Sequence, residues 1–339
     1  MDKDEVKRIL RGLLTDAQTF VDGELSPDRA KATRYYKGEK FGNEEDGRSQ
    51  FVLTETRDVV DATLPSFARV IFGPEHVVEF VPKNAGAVER AKQQTDFVRY
   101  VFMEDNPGFL NTLAVWKDGL IRRLGIYKWG WENTTSVRTV QLENIPQTEL
   151  EAALLKPGDE EVEVVEGSVE IVREEVPPSE QGPGSPALLN ATLRLTNDEG
   201  RARHWAVPPE ELWFDRDART IEDALLVAHV TYKSQGELLA MGVTQKEIDE
   251  HGGTSSLLRD SAENIARNDH AVGNSSQTEA GDANKPVLYA EAYPKMDFDG
   301  DGTAELRKIC TIGPNFHPIS NEPANERPFA VYVPNPEPH

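Results

Sequence analysis

With 339 residues, 38% of them hydrophobic, the chain is long enough to bury a substantial core, in one large domain or two to three smaller ones. Thirty-seven basic against fifty-nine acidic residues leave a net charge of -22, which excludes a protein that grips nucleic acid through clustered Lys and Arg but not one past which DNA slides without sticking. A single cysteine, Cys310, excludes an intrachain disulfide framework and a thiolate zinc cluster, and no run approaches the ~20 apolar residues of a membrane span, so a soluble, unexported chain assembled in the cytoplasm is expected.

Val6, Ile9, Leu10, Leu13, Leu14, Ala17, Phe20 and Val21 recur at steps of three and four, which predicts an amphipathic helix over 3–22. Ser26-Pro27-Asp28 reads as an N-cap, a proline at the first helical position and an acid in the first turn, opening a second helix to about Tyr36. After a polar loop over 38–47, helix returns over 54–71, interrupted or restarted at Pro65. A short strand is expected over His76–Val81, ended by Pro82. Two further helices are expected over 85–104 and 108–124, split at Asn106-Pro107-Gly108.

The character then changes. Residues 126–142, with Tyr127, Trp129, Trp131, Thr134, Thr135, Val137 and Val140, favour a strand pair. A brief helix over 146–155 precedes antiparallel strands over 161–166, 169–172 and 191–196, interrupted by a loop over Pro177–Pro186 too rich in Pro, Gly and Ser to pack. Strands follow over 204–207 and 226–232 around a short helix near Ile221–Ala224, and helical signals over 235–241, 245–251 and 255–266. Residues 269–285 are polar and aperiodic and read as a flexible linker. A hairpin over 287–313 leads through an irregular stretch, 314–328, to a last strand over 329–333. The ending Pro334 to His339 reads as a truncated end. The fold class is thus α+β, N-terminal helices followed by an antiparallel β-rich region with short helices. Its expected divisions are a mainly helical 1–124, a β-rich 125–268, the linker 269–285, and a hairpin with a final strand over 286–339.

The turn of that hairpin carries the strongest motif, Asp297-Phe298-Asp299-Gly300-Asp301-Gly302. D-x-D-x-D-G suits calcium, because carboxylates at alternate positions of a tight turn converge on one ion and Gly at the sixth position permits the reversal. The twelfth position, where a helix-loop-helix site wants a bidentate Glu, holds Lys308; the nearest further carboxylate is Glu305, at the ninth. Asp297, Asp299, Asp301 and Glu305 are therefore the candidate calcium ligands, while a plain turn is preferred, since Asp and Gly favour turns for backbone reasons alone.

Other chemistry is sparse. His76, His204, His229, His251, His270, His317 and His339 form no H-E-x-x-H and no ligand pair at helical spacing, so His204 and His229 read as partly buried structural imidazoles. Cys310 reads as a buried structural thiol without a base. There is no G-x-x-x-x-G-K-[ST] loop and no G-x-S-x-G elbow. The cluster Asp159, Glu160, Glu161, Glu163, Glu166, Glu170, Glu174 and Glu175 reads as a solvated strand face, with a surface that repels DNA or meets a basic partner as the alternative. Tyr127, Trp129 and Trp131 read as core packing rather than a platform for bases.

Several segments, in order, resemble the portal proteins of tailed bacteriophages, in particular the podovirus type related to the phage P22 portal. They are Arg34-Tyr35-Tyr36-Lys37-Gly38, Gly47-Arg48-Ser49-Gln50-Phe51-Val52, Leu64-Pro65-Ser66 with Ile71-Phe72, Val78-Glu79-Phe80-Val81-Pro82, Gly125 to Glu132, Val207 to Phe214, Gly236 to Gly242, and Asp297 to Gly302 with Glu305-Leu306-Arg307. The resemblance implies a wing-like fold and a structural, non-enzymatic subunit of a ring, typically of twelve copies. Such a ring occupies one capsid vertex of the virion, assembles in the host cytoplasm, and passes double-stranded DNA without sequence-specific binding during packaging and ejection. Implied partners are other copies of the chain, terminase, major capsid protein, scaffold, and tail or adaptor proteins, with no membrane and no cofactor. It also implies that stem, clip and crown segments would follow His339. The rival readings are a calcium-stabilised binding or adhesion module built on Asp297 to Asp301, and a carboxylate-dependent hydrolase.

Overall fold

The computed structural model describes residues 3–40, 42, 45–74, 77–154, 160–165, 167–173, 187–253, 255–268 and 281–334. The chain divides into two compact units, one of Met1–Trp129 with His204–His339, the other of Gly130–Arg203. Helices and antiparallel sheets make it α+β.

In the first unit, five antiparallel strands lie in the order β5-β6-β7-β8-β9: β5 (Leu212–Phe214), β6 (Leu226–Ser234), β7 (Pro286–Met296), β8 (Glu305–Ile312) and β9 (His317–Pro323). Side chains alternate across a strand, and here both faces are covered. Leu226, Ala228 and Val230 of β6 with Leu288, Ala290 and Ala292 of β7 meet the stripe Val6, Leu10, Leu14, Ala17 and Val21 of the N-terminal segment, whose helix α1 spans Lys3–Phe20. On the opposite side Val287, Tyr289, Cys310 and Ile312 pack with Leu238, Val243 and Ile248. Those last residues come from the segment holding α7 (Gln235–Ala240) and α8 (Gln245–His251), each opened by a capping box, Ser234 with Glu237 and Thr244 with Glu247. Each fully buried Leu of the stripe stabilises the fold by roughly 1.5–3 kcal/mol.

The chain does not break after α1. Val21–Leu25 form a π-helical turn that runs into α2 (Ser26–Lys37). Ser26 is therefore not an N-cap as expected: the residue before the helix is Leu25, itself helical, and the buried Ser26 Oγ accepts from the Glu263 backbone N–H at 2.9 Å. Gly38, at φ 72°, ends α2. α3 (Glu55–Phe72) passes through Pro65 as one helix. α4 (Val88–Met103) and α5 (Gly108–Arg122) follow as expected.

The strand expected over His76–Val81 is absent: His76 lies outside the described residues, and 77–82 form a bend followed by irregular chain. The Phe80 N–H goes to the Thr95 hydroxyl of α4 at 3.0 Å, so a helix side chain takes the place of a neighbouring strand. After α5, Gly125 starts the next strand where a Cβ would meet the Val115 carbonyl oxygen at 2.0 Å, so only glycine allows this close passage.

That strand, β1 (Gly125–Pro146), is a single 22-residue ribbon rather than the expected pair. Its start pairs with β10 (Phe329–Tyr332). In the second unit its remainder is followed by α6 (Gln147–Leu154), β2 (Glu160–Val164), β3 (Glu170–Arg173) and, as far as Arg203, β4 (Leu188–Val207), with β2 and β3 both antiparallel to β4. β4 joins two stretches that read as separate strands in the sequence. Ile145, Leu150, Leu189, Ala191 and Leu193 form this unit's core.

Four further expectations are corrected. Residues 221–224 turn instead of forming a helix, because Asp223 Oδ1 captures the Arg219 and Thr220 N–H groups at 3.1 and 2.8 Å. Helix over 255–266 is confined to α9 (Ala262–Arg267), capped by Ser261. The stretch 314–328 contains β9, whose prolines are tolerated because it is an edge strand. Trp131 is 68% exposed and lies across Gly200 rather than in a core. The expected loop over 177–186 and most of the expected linker, 269–280, lie outside the described residues.

Candidate functional site

The Asp-rich turn closes the β7–β8 hairpin: Met296 pairs with Glu305 and Lys295 with Leu306. Its acids hold the backbone reversal. Asp297 accepts from Gly300 N–H at 2.7 Å and Gly302 N–H at 2.9 Å, Asp299 from Asp301 N–H at 3.1 Å, and Asp301 from Thr303 N–H at 2.7 Å. Gly302, at φ 88°, takes a left-handed conformation that other residues resist. One carboxylate oxygen from each of Asp297, Asp299 and Asp301 lies within 4.8 Å of the others. Glu305 is turned to the Phe298 N–H at 3.3 Å. Lys308, at the twelfth position, ion-pairs with Glu291 at 3.0 Å. Three clustered carboxylates amount to about half of the six to eight oxygens that calcium takes.

The described histidines, His204, His229, His251 and His317, are held by neighbours, while His76, His270 and His339 lie outside the described residues. His204 stacks on Phe102 at 4.7 Å, its Nε2 donates to the Phe102 carbonyl at 3.2 Å, and Asn111 donates to its Nδ1 and its carbonyl. His251 stacks on His317 at 3.5 Å. Buried Cys310 accepts from the Tyr289 hydroxyl at 3.1 Å. Within the acidic strand face, Glu163 and Glu170 are exposed while Val162 and Val164 pack inward, so for them the solvated-face reading is the one seen. Asp159, Glu166, Glu174 and Glu175 lie outside the described residues.

Two buried charge networks were not visible as sites in the sequence. In the first, α2, α5, α9 and the short turn Pro209–Glu211 meet. Arg29 contacts Glu263 at 3.4 Å and donates to the Pro209 carbonyl at 3.3 Å. Arg122 lies 3.4 Å from Glu263 and pairs with Asp118, which Arg267 also contacts at 3.1 Å. Arg267 reaches Glu210 at 2.7 Å. Three arginines thus face three carboxylates. Burial pushes the fully enclosed Glu263 carboxyl up to about 7, against the opposing pull of Arg29. Charge pairs spaced i,i+4, Asp118 with Arg122 and Glu263 with Arg267, were the available sequence signal.

The second network lies where β1 meets β6, β7 and β8. Glu291 receives Lys128, Lys308 and the Tyr293 hydroxyl. Lys128 also donates to His229 Nδ1 at 3.0 Å, and His229 Nε2 donates to Glu211 at 3.2 Å. Burial would raise Glu291, but the two lysines outweigh it and hold the carboxyl down to about 2. The same burial lowers His229. Both networks tie separate elements together, each through buried charges set opposite one another.

A family-level comparison spans residues 6–339, and the class of protein it defines is the phage portal protein, a structural component of the virion's head–tail connector. Within that class the chain belongs to the phage SU10 portal protein family. No curated protein matches the chain. The portal resemblance across residues 34–339 is met, without the P22-related type being singled out. Proteins of this family are ring-forming components of the capsid vertex.

Proposed function

We propose that twelve copies of this chain form a closed ring that passes double-stranded DNA, serving as the seat for terminase during packaging and as the attachment point for tail or adaptor proteins afterwards. Major capsid protein and scaffold meet the ring while it assembles in the host cytoplasm. The observation that carries this reading is the family match over residues 6–339. The charge of -22 supports passage without adhesion, because a surface short of cations releases few counterions and does not brake a moving duplex. The regions 1–124 and 125–268 supply the wing-like part.

Electron microscopy and native mass measurement of the purified full chain test the ring, with twelvefold closed particles as the expected result. A chain that stays monomeric at every concentration and salt, with no ring in phage particles, overturns it. Gel-shift titration with random-sequence duplex should show no retention at ~0.15 M salt.

A further inference from the structure

We propose that the exposed apolar face of α3, α4 and α5, together with the unpaired segment 77–82, is the surface on which the next copy of this chain seats. This inference rests on the ring reading and adds the place of contact. Among the described residues, thirteen of the twenty-eight exposed large hydrophobic side chains fall between Phe51 and Leu110. They include Val59, Val70 at 70% exposure, Val81 at 83%, and Phe97 and Leu110 at 65% each. α3 has 18 residues of which Val60 is buried, and α4 has 16 of which Ala91 and Thr95 are buried. Helices of this length draw most of their stability from packing an apolar face, so two with so few residues buried leave much of that face uncovered. α5 packs on α3 through Phe67 against Trp116 and Phe72 against Phe109, and Leu64, Pro65, Phe109 and Leu113 line a groove of about 580 Å³ there.

Charge identifies the occupant. Residues 51–124 hold nine basic and ten acidic side chains, a balance of -1, so the rest of the chain carries -21 of the total -22. Copies carrying that charge repel one another. The electrically balanced layer is where they can approach, and it has the aromatic enrichment of an interface core. Balanced charge gives DNA no phosphate grip. Val77-Val78-Glu79-Phe80-Val81 is rich in strand-forming side chains yet has no strand partner among the described residues, which suits a polypeptide neighbour that offers a sheet edge. A ring needs a head-to-tail contact, so this face meets a different surface of the next copy.

The test is site-specific photo-crosslinking of the full chain under assembly conditions, with the probe at Phe97 or Leu110 and a control at exposed Ile171, outside the layer. Covalent chain-to-chain dimers from positions 97 and 110, in the assembled fraction and not from 171, are expected. Phe97→Glu should raise the concentration at which rings form at least tenfold with unchanged helical circular dichroism, while Ile171→Glu leaves it unchanged. Rings that form without chain-to-chain products at 97 or 110, or products at 171 in equal yield, or products from virion mixtures joined only to a different protein, overturn the face and leave the ring reading standing. A wild-type chain that never assembles removes both.

Discussion

Asp297 shows how one side chain closes the β7–β8 hairpin: its carboxylate takes the N–H groups of Gly300 and Gly302 in an exposed turn. Hydrogen bonds of this kind behave like helix caps, so Asp297→Ala should lower stability by about 1–2 kcal/mol in urea unfolding. Calcium binding with a Kd one hundredth of the ion concentration would add ~2.7 kcal/mol. With the turn already satisfied by its own backbone, millimolar calcium should leave the melting temperature unchanged; a rise of several degrees that Asp299→Asn abolishes would show a filled site instead. The buried glutamates act over opposite pH windows. Glu263 is raised from 4.5 to about 7, so the folded chain holds its proton more tightly and stability declines as pH climbs from 4.5 to 7. Glu291 is depressed from 4.5 to about 2, so its contribution is present above 4.5 and is lost as pH falls through 2. Each is worth about 3 kcal/mol over its window. Unfolding free energies across pH 2–8 should show Glu263→Gln removing the neutral-side decline and Glu291→Gln removing the acid-side loss, and two unaltered profiles would refute the assignment.

The amphipathic helix α1 was legible because its stripe serves one invariant purpose, covering the sheet with Leu10 and Leu14. Leu14 is fully buried, so Leu14→Ala should cost about 2–5 kcal/mol in urea unfolding, while Arg11→Ala, on the exposed face, should stay within about 0.5 kcal/mol. Strands β7 and β8 were legible from period-two apolar runs, and α7 and α8 from local helical signals that the capping boxes at Ser234 and Thr244 account for. What was hidden depended on partners distant in sequence. Ser26 resembles a local cap, but its hydroxyl is taken by the Glu263 backbone, 237 residues away. β9 hides behind Pro318 and Pro323 because edge position, which excuses proline, is a property of the sheet. Residues 77–82 carry strand propensity but no strand beside them, and propensity without a ladder does not make a sheet. The candidate site divides the same way. The Asp turn is local and was fully visible; the arginine–carboxylate network draws on α2, α5, α9 and the turn at Glu210, and no window of sequence contains all four.

At the scale of the whole molecule, net negative charge lies almost wholly outside residues 51–124, where exposed apolar side chains concentrate, and assembly should depend on salt accordingly. Bringing together copies that each carry -22 is opposed by a repulsion that acts over the Debye length, ~30 Å at 0.01 M ionic strength but ~8 Å at 0.15 M. Burial of Val70, Phe97 and Leu110 is insensitive to such screening, since it removes apolar surface from water rather than pairing charges. If the layer of α3, α4 and α5 holds the ring, added sodium chloride weakens the opposing force and leaves the cohesive one intact. Light scattering and negative-stain images should then show mainly monomer at ~0.01 M salt and rings at ~0.15 M, with the balance moving further toward rings at ~0.5 M. An interface built on ion pairs behaves in reverse, because salt screens the attraction that holds it. Rings that dissolve between 0.15 and 0.5 M would therefore place the contact on the charged remainder of the chain and remove the apolar layer from the assembly.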